Sequence, residues 1–158
     1  MKVILKALEL IRKVEFVEMA TADASGKPNS APKFFLKTEG LSVYLIDYSV
    51  GRSAENIRVN PRVALSFIMM DTLTGYRLSG RAEIIRSGDV YNKCLDEMRE
   101  KAIDLTTRRI IEGVREDKPH KYKAYALEMS GQILIYKINV EEGSEISPRG
   151  EIERENAA

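Results

Sequence analysis

The stretch DYSVGRSAENIRVNPRVALSF, Asp47 to Phe67, runs three textures together. A polar, glycine-bearing turn comes first, a short amphipathic segment follows, and Asn60-Pro61 separates both from an apolar run. Ser53 is placed to cap a short helix reaching about Val59, because a hydroxyl there can accept from the orphan N–H groups of a first turn. Pro61 ends that helix and pushes Asn60 toward extended geometry. RVALSFIMM then reads as a strand. The stretch holds no His, no Cys and no carboxylate pair, so it offers no obvious acid, base or nucleophile. What it does offer suits an anion. Gly51 lets backbone approach closely, Arg52 is a planar multi-donor cation, and a helix start favours negative charge. Tyr48 and Ser49 add donors nearby. The G-x-x-x-x-G-K-S/T pattern of a P-loop is missing.

On the N-terminal side, Val3, Ile4, Ala7, Leu8, Ile11 and Val14 share one helical face. FVEMATA and NSAPKFFLK read as strands joined by the turn formers of DASGKP, which makes a hairpin. Pro32 removes a ladder donor and belongs at an edge or a bulge. SVYLID is a compact strand. On the C-terminal side, YRLSGRAEIIR is a long strand with Gly80 as a bulge candidate. Ser87-Gly88-Asp89 opens a helical region carrying Tyr91, Leu95, Met98 and Ala102 on one face, and TTRRIIEGVRE follows as a second helical piece. YKAYALEMS and QILIYKINV alternate like a hairpin turning near Ser130-Gly131. Residues 141–158 carry six Glu against two Arg and little that is apolar, which reads as a mobile acidic tail behind a single domain over 1–140. The expected class is mainly β: an antiparallel, closed or nearly closed barrel with flanking helices. Strand runs without regular crossover helices argue against a parallel sheet.

Composition narrows the function. A net charge of +1 on 158 residues argues against a nucleic-acid or membrane-surface partner. No apolar run nears the roughly 20 residues of a membrane span. The N-terminus is interrupted by Lys6, Glu9, Arg12 and Lys13, so it reads as an amphipathic helix and not a signal sequence. One cysteine, Cys94, excludes an intrachain disulfide and points to the cytoplasm. At helical spacing with Tyr91 and Met98 it is a structural thiol. Metal sites draw on several His or Cys at set spacing, which this chain lacks. The one histidine, His120, sits among charges in DKPHKY and reads as a solvated loop residue. Met69-Met70 reads as core filling, and Arg108-Arg109 as a solvated helix face.

MATADASGKPNSAPKFFL, VYLIDYSVGRSAENIRVNPRVALSF and YRLSGRAEII, in this order and spacing, resemble the pyridoxamine 5′-phosphate oxidase-like, FMN-binding split-barrel family. The resemblance covers roughly Phe16 to Arg86. It implies a homodimer with FMN at the subunit interface. It also implies that Arg52 and Ser53 hold the flavin phosphate, with Asn56 in support. Pro32, Lys33 and Phe34 would run along the isoalloxazine, and Asp47, Tyr48 and Ser49 would line the ribityl and phosphate region. Arg77 would reach the flavin of the other subunit, and Lys33 or Arg77 would be the cation at the pyrimidine edge. A bound flavin performs electron or hydride transfer itself, which accounts for the missing nucleophile. The implied function is an FMN-dependent oxidoreductase acting on a small acceptor, with NADH or NADPH as a candidate donor. The alternatives are a non-catalytic flavin carrier or store, the same barrel binding a deazaflavin cofactor or haem, or a ligand-free structural module. Two departures stand out. Relatives often carry Lys where this chain has Ser53, and SPRGEIERE does not match the C-terminal arginine-rich signature of true pyridoxamine phosphate oxidases. No catalytic side chain is assigned.

Overall fold

Period-two alternation of apolar residues builds most of the molecule. The computed structural model describes residues 1–48, 51–116 and 132–158. In chain order the elements are α1 (Lys2–Leu10) with a 3-10 turn at Ile11–Lys13, β1 (Phe16–Ala22), β2 (Pro28–Glu39), β3 (Ser42–Asp47), α2 (Arg52–Val59), β4 (Arg62–Met69), β5 (Thr74–Ile85), α3 (Asp89–Arg115), β6 (Leu134–Ile146) and β7 (Ile152–Asn156). The strands form one sheet in the order β3-β2-β1-β4-β5-β6-β7, all neighbours antiparallel. A further pairing of β3 with β6 closes the first six into a barrel. Closure leaves every barrel strand paired on both sides over part of its length, which is how an all-antiparallel sheet satisfies its backbone donors.

Inward positions follow from the alternation. Val17 and Met19 of β1, Val63, Leu65 and Phe67 of β4, and Tyr76 and Leu78 of β5 are buried in one apolar cluster. Ile4, Ala7, Leu8 and Ile11 of α1 and its following turn join that cluster, as do Ala54 and Ile57 of α2. The helical face read from the sequence is therefore the face that packs. Met69 packs against the cluster, whereas Met70, expected in the core, is 71% exposed beyond the end of β4. The alternation simply continues and puts it on the outside.

Two irregularities shape the barrel. Pro32 lies where β2 pairs only with β1, opposite Glu18, because pairing with β3 begins at Phe34. Its missing N–H thus costs no ladder bond. Along β5 the register with β6 shifts between Ser79 and Gly80, so Glu141 is the extra residue of a bulge. Before that bulge β6 pairs with β3 through residues 134–139, and after it with β7 through residues 142–146.

The C-terminal segment differs from expectation. Residues 141–146 complete β6, and Ile152–Asn156 form β7, so the acidic tail is built into the sheet. Its turn is closed by Ser147 N–H to the Glu151 carbonyl (2.9 Å) and by Gly150, whose φ of 83° suits glycine. Glu141, Glu151 and Glu153 face solvent, while Glu145 pairs with Lys6 and Glu155 accepts from Ile4 N–H and pairs with the Met1 amino group, so the acidic composition is compatible with paired backbone.

Residues 1–86 and 132–158 form one compact unit, the barrel, and the described residues 87–116 belong to a second. In the second unit α3 is one continuous helix where two pieces were expected. It starts at Gly88, whose φ is 93°. Arg108 pairs with Asp104 one turn away and both are exposed, in keeping with a solvated face. Cys94 is buried, as a structural thiol should be. His120 and the YKAYALEMS segment lie outside the described residues. No helix among the described residues is long and apolar enough to cross a membrane.

Candidate functional site

The stretch from Asp47 to Phe67 leaves β3 at Asp47 and enters α2 at Arg52. Gly51, in extended geometry, is the N-cap of α2, so Ser53 is inside the first turn and not the cap. Its hydroxyl, 3% exposed, accepts from Asn29 Nδ2 at 3.2 Å. Asn56, equally buried, donates from Nδ2 to Thr21 Oγ1 at 3.0 Å. Further along, Asn60 Nδ2 reaches the Ala22 carbonyl at 3.4 Å, and its Oδ1 accepts from Arg62 N–H at 3.2 Å across Pro61. The polar residues of the motif therefore staple α2 onto the β1–β2 hairpin. Ser53, which the resemblance implies holds the phosphate, and Asn56, implied in support, both make hydrogen bonds in that docking, and Asn56 also lines the cavity beside Arg52.

Arg52 is different. Its side chain is exposed and lines an open cavity of about 520 Å³ together with Asp23, Ala24, Ser25, Lys27, Glu55, Asn56 and Val59. One wall is α2; the other is the β1–β2 turn. That turn is held by Asp23 Oδ1, which accepts from Ser25 Oγ (2.7 Å), Ser25 N–H (2.9 Å) and Lys27 N–H (2.9 Å). The Ser25 hydroxyl and then the Lys27 amide hold the Asp23 carboxyl below the usual carboxylate range. Lys27 had been read only as part of a turn; nothing local ties it to an arginine far along the chain.

Lys33 and Asp47 meet inside the barrel. Lys33 Nζ is 2.9 Å from Asp47 Oδ2, with side chains 3% and 2% exposed. Tyr136 OH, on β6 and fully buried, donates to the same Oδ2 at 2.7 Å. Burial, and then the hydrogen bond to Asp47 and its charge, push the Tyr136 hydroxyl well up from its usual pKa, so it stays protonated and donates. Lys33 is thus charge-compensated and shielded, a member of a buried cluster and not a cation facing outward. Tyr136 was absent from the sequence reading, since its alternating strand gave no hint of a polar partner.

Phe34 is buried and meets Phe16 edge-on at 5.6 Å and Tyr48 at 6.3 Å. Pro32 and Tyr48 are exposed beside this aromatic group. Ser49 lies outside the described residues. Arg77 stands apart from the Arg52 cavity. It donates from Nη2 to Glu142 Oε1 and Ser144 Oγ, both at 3.3 Å, while its buried Nε has no partner among the described residues. With Glu142, Arg154, Glu155 and Asn156 it lines a second cavity of about 480 Å³. Within one chain the structure brings Lys33 to Asp47 and Phe34 to Tyr48, and it leaves Arg52 and Arg77 in separate cavities. Among the described residues no group of His, Cys, Asp and Glu is arranged to hold a metal.

Comparisons with known proteins agree with this architecture. The family model described as pyridoxamine 5′-phosphate oxidase matches residues 5–146. No curated protein matches the sequence. Among solved structures, a protein related to general stress protein 26, of the pyridoxinephosphate oxidase family, from Clostridium acetobutylicum is similar with a TM-score of 0.63 at 18% identity, covering 98% of this chain and 94% of that one. A pyridoxamine 5′-phosphate oxidase-related, FMN-binding protein from Nostoc punctiforme has a TM-score of 0.54 at 15% identity, covering 98% and 95%. A haem-binding protein from Mycobacterium smegmatis has a TM-score of 0.62 at 14% identity, covering 98% of this chain and 57% of that one. At these identities the likenesses establish the fold.

Proposed function

Because the chain belongs to the pyridoxamine 5′-phosphate oxidase family, we propose that it is an FMN-binding flavoprotein whose flavin phosphate sits at the Arg52 end of α2. The observation that carries this reading is Arg52 itself. It is the one residue of the Arg52, Ser53 and Asn56 set whose side chain is exposed, at the start of a helix and over an open cavity. A guanidinium and a helix start together suit a phosphate dianion. The donor set fits a phosphate monoester better than haem iron. Among the described residues, the lining of the Arg52 cavity holds no imidazole, thiol or thioether.

When bound, the flavin supplies electron or hydride transfer to a small acceptor. The chain's own tasks are to grip the phosphate, to present apolar and aromatic surface near Phe34 and Tyr48, and to keep the barrel rigid beneath them. NADH or NADPH is the proposed donor, and a carrier without turnover is the competing role. The test begins with the absorbance of the purified protein and titration with FMN and riboflavin. FMN should bind more tightly than riboflavin. Arg52→Gln should weaken FMN by about 10- to 100-fold, the loss of one charge-assisted bond, and leave riboflavin unchanged. A Soret band in place of flavin absorbance, or equal binding of the two flavins, would sink the reading. Oxidation of NADH or NADPH with an added acceptor then separates enzyme from carrier.

We also propose a homodimer. Ile68, Gly75, Ile146 and Ile152 form one cross-strand row over β4, β5, β6 and β7, and the three isoleucines are 50%, 40% and 52% exposed. An apolar row of this kind, with Met70 and Leu73 exposed close by in sequence, fits a partner's surface. Sedimentation should show a dimer, and Ile68→Glu with Ile152→Glu should shift it toward monomer. A wild-type monomer at micromolar concentration would refute the assembly.

A further inference from the structure

The Arg52 cavity has a second cation on its other wall. Lys27 is exposed, lies on the β1–β2 turn, and lines the same space of about 520 Å³. Among the described residues, neither the Lys27 ammonium nor the Arg52 guanidinium makes an ion pair or a side-chain hydrogen bond, although, after the Ser25 hydroxyl and the turn amides, the Lys27 charge helps to lower the Asp23 pKa. Two exposed cations on facing walls of one open cavity are placed so that an anion between them could be gripped from both sides. Two carboxylates share the cavity. Asp23 turns one oxygen inward to three donors of its own turn, and that oxygen is occupied. Glu55 is exposed on α2 and free to swing into solvent.

We propose that Lys27 is a binding residue for the same phosphate monoester that Arg52 holds, so that the anion is gripped between α2 and the β1–β2 turn. This rests on the FMN reading and adds a residue to it. The two cations play different parts. The guanidinium fixes geometry through its planar fork, whereas the ammonium is a compact charge on a flexible stem. The turn supplies rigidity: the backbone amide of Lys27 is tied to Asp23, so only the side chain needs to be ordered on binding. Ser53 and Asn56 serve indirectly by docking α2 against the hairpin that carries Lys27.

The experiment compares FMN with riboflavin on the full chain, for wild type, Lys27→Gln, Lys27→Arg and Arg52→Gln. Lys27 is exposed and its backbone bond survives substitution, so thermal midpoints should be unchanged and serve as the folding control. Lys27→Gln should weaken FMN about tenfold, leave riboflavin unchanged, and flatten the salt dependence of FMN binding. Lys27→Arg should restore most of the loss. If Lys27→Gln keeps the wild-type preference for FMN while Arg52→Gln abolishes it, Lys27 is excluded and the FMN reading stands. If wild type binds neither flavin, or binds both equally, both proposals fall.

Discussion

Asp47→Ala should destabilise the fold by about 3–5 kcal/mol, the cost of stranding a buried charge. Asp47 Oδ2 accepts from both Lys33 Nζ and the Tyr136 hydroxyl, and all three side chains are shielded from water. Without it the ammonium has no compensating charge, and the phenol loses its acceptor. Against a total stability of about 5–15 kcal/mol this is a large fraction. For a chain of this size it corresponds to a fall in thermal midpoint of roughly 6–20 °C, at about 2–4 °C per kcal/mol. Tyr136→Phe should cost far less, about 1 kcal/mol, because the ion pair survives it. The informative variant is the triple Lys33→Met, Asp47→Leu, Tyr136→Phe. Replacing the whole cluster by apolar side chains should recover most of what Asp47→Ala loses. Urea unfolding of the set checks this. An Asp47→Ala variant within about 0.5 kcal/mol of wild type, the usual range of a surface change, would show that the cluster is not shielded as described.

Gly80→Ala should be the second large loss. A Cβ on Gly80 would lie 2.0 Å from the Asn139 carbonyl oxygen, 2.9 Å from its carbon and 3.0 Å from Val140 Cα. These are backbone atoms of β6 beside the bulge, so no side chain can turn away to make room. Overpacking typically costs about 1–3 kcal/mol, and a backbone obstacle puts this case at the upper end or beyond. Gly75 and Gly143 calibrate the claim. At Gly75 the nearest atom is Ile146 Cβ at 3.7 Å, an ordinary contact, and Gly75→Ala should be nearly silent. At Gly143 the obstacles are Ile4 Cγ1 at 2.7 Å, on a buried β-branched side chain, and the Ile4 Cα and N at 3.3 and 3.4 Å, so a Cβ there requires a smaller shift, of α1, than the one at Gly80. Thermal midpoints should therefore rank Gly75→Ala above Gly143→Ala above Gly80→Ala. A Gly80→Ala protein as stable as wild type would mean that the β5–β6 bulge is not as tight as this geometry.

The elements legible in the sequence are those whose burial repeats with a clean period. FVEMATA and SVYLID coincide with β1 and β3, and the helix read as ending near Val59 ends there. Gly80 marked the bulge because a glycine inside a strand pattern usually means close backbone approach. The misreadings have physical causes. Thr106-Thr107 looked like the start of a second helix, but Thr107 Oγ1 bonds back to the Ile103 carbonyl at 2.9 Å, which lets a β-branched polar residue sit mid-helix. Ser53 had the chemistry of a cap, yet Gly51 caps, and the serine hydroxyl is turned to Asn29. The acidic C-terminal run hid two strand segments, since glutamates on an outer face say nothing about backbone pairing. In the site, Arg52 was legible as an exposed cation at a helix start. The Lys33–Asp47–Tyr136 cluster was not, because it joins β2, β3 and β6 across the chain, and such convergence leaves no local mark.

The change of partner along β6 divides one strand into two mechanical regimes. Up to residue 139 its amides belong to a ring with no loose end, and freeing them means opening the ring somewhere. Past Glu141 the neighbour is β7, which flanks β6 on one side and can peel away while the ring stays shut. Opening there would break the β7 ladder and the Glu155 ties to the Met1 amino group and the Ile4 N–H, while the closed ring that carries Arg52 keeps its pairing.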